Sequence, residues 1–291
     1  MYAWLGDVYM DITFNYYPNA KTKAVTLSYD DGMVQDRKMI KILNEHKMKC
    51  TFHLNSGRIG TDGRFVTADE IKRLYAGHEV SLHTRTHPSV EYIPQENLVY
   101  EVMDDRQSLE KMSGRIVNGL SYPNGSFSKD VADTLRKLGV VYARTTLGTG
   151  EFSLPEDFLL WHPTIHHLRG LKPYKYGMKP DHDIMLKYAR SFVQYSEGPK
   201  NMPILYIWGH SYEFDEIEDA WDALENFCDY ICEIKNIWFA TNIEVYNYVT
   251  ALKSLKFSAD CSMVYNPSAF SVWIGANDKP VEIKGGEFKK L

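Results

Sequence analysis

Cysteine is scarce: Cys50, Cys228, Cys232 and Cys261 are the four in 291 residues. So few thiols exclude a disulfide scaffold and read as a reduced, cytoplasmic protein. Cys228 and Cys232 stand one helical turn apart, as half-buried apolar residues do. Long apolar runs are also missing. None reaches 18 residues, so no membrane-spanning helix is expected. Positive charge is not in excess: 33 Lys and Arg stand against 38 Asp and Glu, a formal net charge of -5. That argues against a nucleic-acid partner, which leaves a basic footprint. The opening "MYAWLGDVYMDITFNYYPNAK" has early acids and no basic region ahead of an apolar stretch, so it does not read as a secretory leader. Repeats and low-complexity tracts are absent.

What is present is enough for a sizeable core: 44% of residues are hydrophobic and 13% aromatic. Short apolar strands alternate with amphipathic helices. "KAVTLSY" (23–29), "KCTFHLN" (49–55), "EVSLH" (79–83), "RIVNGLSYP" (115–123), "VVYART", "MPILYIWGH" (202–210) and "IWFATN" read as strands. Helical spacing runs through 35–47, 94–112, 128–139, 183–195, 220–235 and "IEVYNYVTALK", and Thr67 to Glu70 fits a capping box that opens one more helix. About seven strand–helix units imply an α/β fold, a parallel sheet with helices outside, closed or nearly closed into a barrel. The barrel is expected over residues 1–254. From 255 to 291 the apolar period becomes two, with turn signals at Asn266-Pro267, Asn277-Asp278 and Gly285-Gly286. This reads as a small C-terminal β appendage of two or three antiparallel strands. An edge strand there offers a route to a homodimer.

Parallel barrels keep their chemistry at the C-terminal strand ends. Strand one ends in Asp30-Asp31-Gly32. Strand three ends in His83, with His87 and Pro88 just beyond, and the proline disfavours a helical reading of this His pair. The fourth ends in Tyr122-Pro123-Asn124-Gly125, the fifth in Arg144, and "LYIWGH" in His210. Each alone has an ordinary reading: Asp-Asp-Gly as a turn, His210 as a rim histidine, Trp208 as core. Their coincidence at one mouth is what points to chemistry. Two histidines and one carboxylate form the protein half of many catalytic zinc sites. Cobalt, nickel or manganese suit the same donors. The second aspartate is then the natural base and His210 the general acid. His53 and His78 read as structural.

"TLSYDDG", "HTRTHP", "YPNG" and "WGHS" resemble the motifs of the polysaccharide deacetylases, the NodB-homology group of carbohydrate esterases, over Lys23 to Lys253. The resemblance implies a deformed (β/α)7 barrel. It implies Asp30 as base, Asp31, His83 and His87 as metal ligands, and His210 as acid. The backbone N–H of Asn124 would face the oxyanion, and the reaction would be hydrolysis of an N- or O-acetyl group on a sugar. Two departures stand out. Ser121 occupies the place where the family has a base-orienting arginine, and Arg144 on the next strand could supply that charge. The family's Asp-rich fourth motif is replaced by "LLWHPTIHHLRG" (159–170), whose Trp161, His166 and His167 are either a rim loop or a substrate wall. Tyr122, Asn124, Arg144, Trp161, His166, His167 and Trp208 are thus the candidate substrate contacts.

Three functions compete at this point. The first is a metal-dependent deacetylase of an amino sugar or oligosaccharide. The second is a hydrolase of a small cyclic or linear amide. The third is a carbohydrate binder without catalysis, using the β tail. The five residues Asp30, Asp31, His83, His87 and His210 weigh against the third, since a binder has no use for all of them.

Overall fold

Alternation along one strand explains the architecture. The computed structural model describes residues 10–171, 180–196 and 202–291. Residues 1–9, part of the opening stretch read above against a leader, and 172–179, within the loop after Trp161, lie outside the described residues. Among the described residues, eight parallel strands, numbered here β1 to β8, make one curled sheet. They are Lys23–Asp30, Thr51–Leu54, Glu79–Leu82, Gly119–Ser121, Tyr142–Arg144, Ile165–His166, Ile204–His210 and Ile237–Phe239. Seven lie in the order β5-β4-β3-β2-β1-β7-β6. β8 pairs with the N-terminal half of β1, through Lys23, Ala24 and Val25, while β2 pairs with its C-terminal half, Ser28 to Asp30. The two free edges meet at Trp161. Its N–H donates to the Ala143 carbonyl and its carbonyl accepts from Thr145 N–H, each at 3.0 Å. This is the deformed (β/α)7 barrel, with helices on its outside.

In β1, every residue from Ala24 to Asp30 is buried. Val25, Leu27 and Tyr29 face the helices and join the main apolar core. Successive side chains on a strand point to opposite sides. Thr26, Ser28 and Asp30 therefore face the lumen. There the Thr26 hydroxyl donates to Asn242 Oδ1 at 2.8 Å, and the Tyr206 hydroxyl to Ser28 Oγ at 3.3 Å. Glu79 accepts from Thr51 at 2.8 Å and Tyr142 at 2.6 Å. The lumen is thus a stack of hydrogen-bonded polar layers, with Asp30 in the uppermost. Buried polar groups are tolerated when satisfied in this way.

The helices fall at Asp36–Glu45, Gln95–Ser113, Lys129–Lys137, Ile184–Gln194, Ala220–Cys232 and Asn242–Lys253, close to where spacing put them. Ser128 and Thr241 cap two of them. The capping box at Thr67 opens less than expected. Glu70 does accept the Thr67 N–H at 2.7 Å, but the helix lasts only from Ile71 to Leu74 before Gly77 turns the chain at φ 87°.

The tail forms two three-stranded antiparallel sheets rather than one. One joins Lys256–Phe257, Met263–Tyr265 and Phe288–Lys290. The other joins Val272–Ala276 to Lys279–Ile283 and to Ile12–Thr13 from the start of the chain. Val264, Val272, Ile274 and Ile283 are fully buried, in one cluster with Tyr17, Tyr248, Val249 and Leu252. The tail and the barrel therefore share a core.

Candidate active site at the strand ends

Register assembles the site. Asp30 is the cross-strand partner of His53 on β2 and of His210 on β7. Ser121 is the partner of Arg144 across β4 and β5. Beyond Asp30 the chain leaves the strand: Asp31 takes φ 82° and Gly32 φ 67°. That turn lets two consecutive carboxylates address one mouth. Thr84, His87 and Asn124 also hold left-handed backbone, at φ 62°, 65° and 57°. Such residues cost about 1–3 kcal/mol each and gather where surrounding structure imposes them.

Asp30 is 2% exposed. Its Oδ2 pairs with the buried Arg144 guanidinium. Its Oδ1 accepts from the Ser121 hydroxyl at 3.0 Å, and His53 Nδ1 lies 3.4 Å away. Burial pushes its carboxyl upward, but Arg144, His83 and His53 outweigh burial and hold it well below the usual range. Arg144 is itself fully buried and lies with its guanidinium carbon 4.4 Å from the Trp208 ring centre.

His83 is fixed in one tautomer. Its Nδ1 lies 2.9 Å from the Ser121 carbonyl, which can only accept, so Nδ1 carries the proton. The lone pair on Nε2 then points toward Asp31 Oδ1, 3.8 Å away. His87 Nε2 is 3.7 Å from the same oxygen. Burial drives the His83 imidazole down to about 3 and lowers His87, so both are neutral near pH 7. Asp31 Oδ1 is buried and has no hydrogen-bond partner among the described residues. These separations are too long for hydrogen bonds. They are under about 4.2 Å, the span of two donors that share one ion at about 2.1 Å each. Asp31, His83 and His87 therefore fit a divalent cation.

His210, with 20% of its side chain exposed, faces this group from β7. The chain turns after it, and Glu213 comes back beneath. Glu213 Oε2 accepts the His210 backbone N–H at 3.1 Å and Nδ1–H at 3.2 Å. It also accepts from His167 Nε2 at 2.7 Å, while Oε1 accepts from Arg169 at 2.7 Å. Burial would lower His210, but Glu213, with Asp31 and Asp30 behind it, outweighs burial and pushes the imidazole up to about 9. Burial would raise Glu213, and the three imidazoles around it hold it well below the carboxylate range instead.

Several expected substrate contacts sit elsewhere. Trp161 is fully buried, packed on Tyr142, Phe158 and Tyr206. It closes the barrel and lines no wall. Tyr122 is 1% exposed and donates to the Leu159 carbonyl at 2.8 Å, so it packs the wall rather than meeting solvent. His167 is fully buried behind β7, and Arg144 reaches Asp30 instead of the solvent side. His166 is 5% exposed, edge-on to Trp208 at 4.7 Å between ring centres. Trp208, at 8%, lies beneath His210. Asn124 is exposed at the turn after β4, its amide donating to Ser89 Oγ at 3.1 Å.

Two residues of the site escaped the sequence reading. His53, read above as structural, lies one residue before the end of the second strand, and its Nδ1 is 3.4 Å from Asp30. Glu213 lies three residues past His210 on a turn, and nothing in the spacing marks it. His78 is structural as expected, against Asn44 Oδ1 at 3.2 Å.

The polysaccharide deacetylase family model matches residues 17–143. A chitooligosaccharide deacetylase of Sinorhizobium fredii is 26% identical over 136 residues, 45% of this chain and 61% of that one. Another, from a Bradyrhizobium species, is 24% identical over 147 residues, 48% and 64% of the two chains. The chain thus spans less than two thirds of the length of these curated relatives. Among solved structures, one assigned to the polysaccharide deacetylases, from Mycobacterium smegmatis, superposes with a TM-score of 0.64 at 15% identity, over 84% of this chain and 96% of that one. A family 4 acetyl xylan esterase from Clostridium thermocellum, in complex with a cobalt ion, gives 0.50 at 16%, over 77% and 90%. A CE4 family pseudoenzyme from Bacillus anthracis gives 0.50 at 16%, over 79% and 66%. The structural likeness shows the fold, and that fold carries both active and inactive members. The segment that the family model matches, residues 17–143, is the one that bears Asp30, Asp31, His83 and His87.

Proposed function

We propose that the protein is a divalent-metal-dependent hydrolase that removes acetyl groups from a carbohydrate or amino sugar. One observation carries this reading: Asp31, His83 and His87 bring three donor atoms together without hydrogen bonds between them, with Asp30 buried beside them and His210 facing them across one mouth. Asp31, His83 and His87 would hold the ion, and zinc suits two imidazoles and a carboxylate. Such an ion supplies Lewis acidity toward an acyl carbonyl and makes water more acidic. Asp30, kept ionised by Arg144 and oriented by Ser121, takes the proton of the attacking water. The Asn124 N–H faces the developing oxyanion, a contact whose loss costs about 2.7–4 kcal/mol in comparable sites. His210 then gives its proton to the departing amine or alkoxide. The likeness of the pseudoenzyme makes these residues, not the barrel, the basis of the reading. Four free cysteines, Cys50 and Cys228 buried among them, fit a cytoplasmic home.

The test is elemental analysis together with acetate release from acetylated sugars. Both curated relatives are named chitooligosaccharide deacetylases, so chitooligosaccharides head that panel. About one ion per chain and release of acetate are expected, with both lost in His83→Ala/His87→Ala. A wild type that takes up no ion on soaking at neutral pH and frees no acetate would overturn the reading.

A further inference from the structure

We infer that Glu101 is a positioning residue for the metal centre: it fixes the loop that carries His83 and His87, and so sets where their ring nitrogens stand. The inference rests on the ion-binding reading above and deepens it.

The two imidazoles bound a five-residue loop after β3, His83-Thr84-Arg85-Thr86-His87. Both Nε2 atoms come within 4 Å of Asp31 Oδ1, at 3.8 and 3.7 Å. Thr84 and His87 hold left-handed backbone, at φ 62° and 65°. Such residues keep that conformation only where their surroundings impose it. The loop is neither helix nor strand, so its peptide groups need partners from outside.

One side is held by the inner face of the helix Gln95–Ser113, where Glu101 and Asp105 are buried one turn apart. Glu101 Oε2 accepts the Thr86 N–H at 2.8 Å, and Oε1 accepts the Thr86 hydroxyl at 2.7 Å. The Glu101 carbonyl accepts the Arg85 N–H at 3.0 Å. Asp105 Oδ2 shares the His83 N–H with the Leu54 carbonyl, at 3.2 and 3.1 Å. The segment after β2 holds the other side. Asn55 Nδ2 donates to the carbonyls of His83 and Thr84 at 2.6 and 2.8 Å. The Gly57 N–H donates to the Arg85 carbonyl at 3.0 Å, and a Cβ on Gly57 would stand 2.6 Å from that oxygen.

Glu101 makes the largest share of these contacts and takes both donors of Thr86, the residue next to His87. Among the described residues its carboxylate bonds to none of Asp31, His83 and His87, so it acts on them through the backbone. Glutamine cannot replace it in full. An amide keeps one acceptor and turns an N–H toward the second donor.

The test measures zinc affinity by competition with a chelating dye and, separately, amide hydrogen exchange over residues 83–87 by NMR. Glu101→Gln should bind zinc about tenfold more weakly, and its Arg85, Thr86 and His87 amides should exchange faster while those of β1 do not. Gly57→Ala presses on the Arg85 carbonyl from the opposite side and weakens zinc binding in the same way. Thr86→Ser keeps the hydroxyl and should match the wild type, whereas Thr86→Val should not. Lys23→Met, altered at the far end of β1, separates position from stability: it should bind zinc as the wild type does. Should Glu101→Gln fail to fold, Gly57→Ala and Thr86→Val carry both readouts. Wild-type zinc affinity in the folded variants overturns the inference, even where exchange quickens. A wild type that takes up no ion would count against the proposed function instead. Exchange then decides whether Glu101 fixes the loop, and unchanged exchange in the variants overturns that.

Discussion

At the scale of single residues, Asp30 is a carboxylate with almost no access to water, and Arg144 is the cation beside it. Removing one member of a buried pair leaves the other uncompensated, at a cost of about 3–5 kcal/mol. Arg144→Met should lose stability on that scale in urea denaturation. A loss below about 1 kcal/mol would mean that His53 and Ser121 suffice. The sign with pH follows from the direction of the shift. Asp30 is depressed in the fold, so its contribution is complete above about 4, the free aspartate value, and is lost as pH falls toward the folded value. In Arg144→Met the carboxyl rises, and the acid limb of activity moves to higher pH. Ser121→Ala probes a different function. It removes the hydroxyl beside His83 Nδ1 while the carbonyl still accepts from it. Metal affinity should fall roughly tenfold, the lower end for lost partners of ligating groups, as read by competition with a chelating dye. The strand-end residues were legible because apolar runs stop where polar groups begin. Ser121 was noticed as a substitution, but not as the group that joins Asp30 to His83. That link needs the register of β3 on β4, which no local pattern carries.

At the scale of elements, helix and strand positions were legible because patterning decides them. The expected helix over 183–195 appears as Ile184–Gln194, an amphipathic element. How it ends was not legible. The Lys23 ammonium, 169 residues away by sequence, donates to the carbonyls of Phe192, Val193 and Tyr195 at 2.6, 2.7 and 2.8 Å. Helix C-termini leave such carbonyls without partners, and a cation there is favourable. Lys23→Met should cost about 2 kcal/mol, in the range for hydrogen bonds to a charged group, seen as a lower melting temperature. A melting point equal to wild type would show that water replaces the lysine. Trp161 was misplaced for a related reason. A tryptophan between histidines looks like a rim, yet its backbone bridges β5 to the segment entering β6. Its ring then has no direction left but inward.

At the scale of the whole molecule, the tail is part of the hydrophobic ledger of the barrel. Val264, Val272, Ile274 and Ile283 are fully buried against barrel residues. At roughly 2 kcal/mol each, their burial is comparable with the net stability of an entire domain. A chain ending at residue 254 should therefore show no cooperative unfolding transition by circular dichroism. A sharp transition in that truncation would show that the barrel stands alone. The tail's β character was legible from its period of two. The recruitment of Ile12–Thr13 was not, because pairing between the two ends of a chain leaves no mark in either.

The double neighbour of β1 has a consequence for biosynthesis. One edge of its C-terminal half is covered by β2, which follows at once, but its other edge, from Ala24 to Asp30, waits for β7, and its N-terminal half waits for β8 as well. Arg144, the partner of Asp30, leaves the ribosome 114 residues after it, a delay of ~10 s at ordinary rates of translation. During that interval the strand that carries Asp30, apolar on one face, has an open edge and an unmatched charge at its tip. The order of synthesis thus leaves β1 exposed to wrong pairing until its late partners arrive.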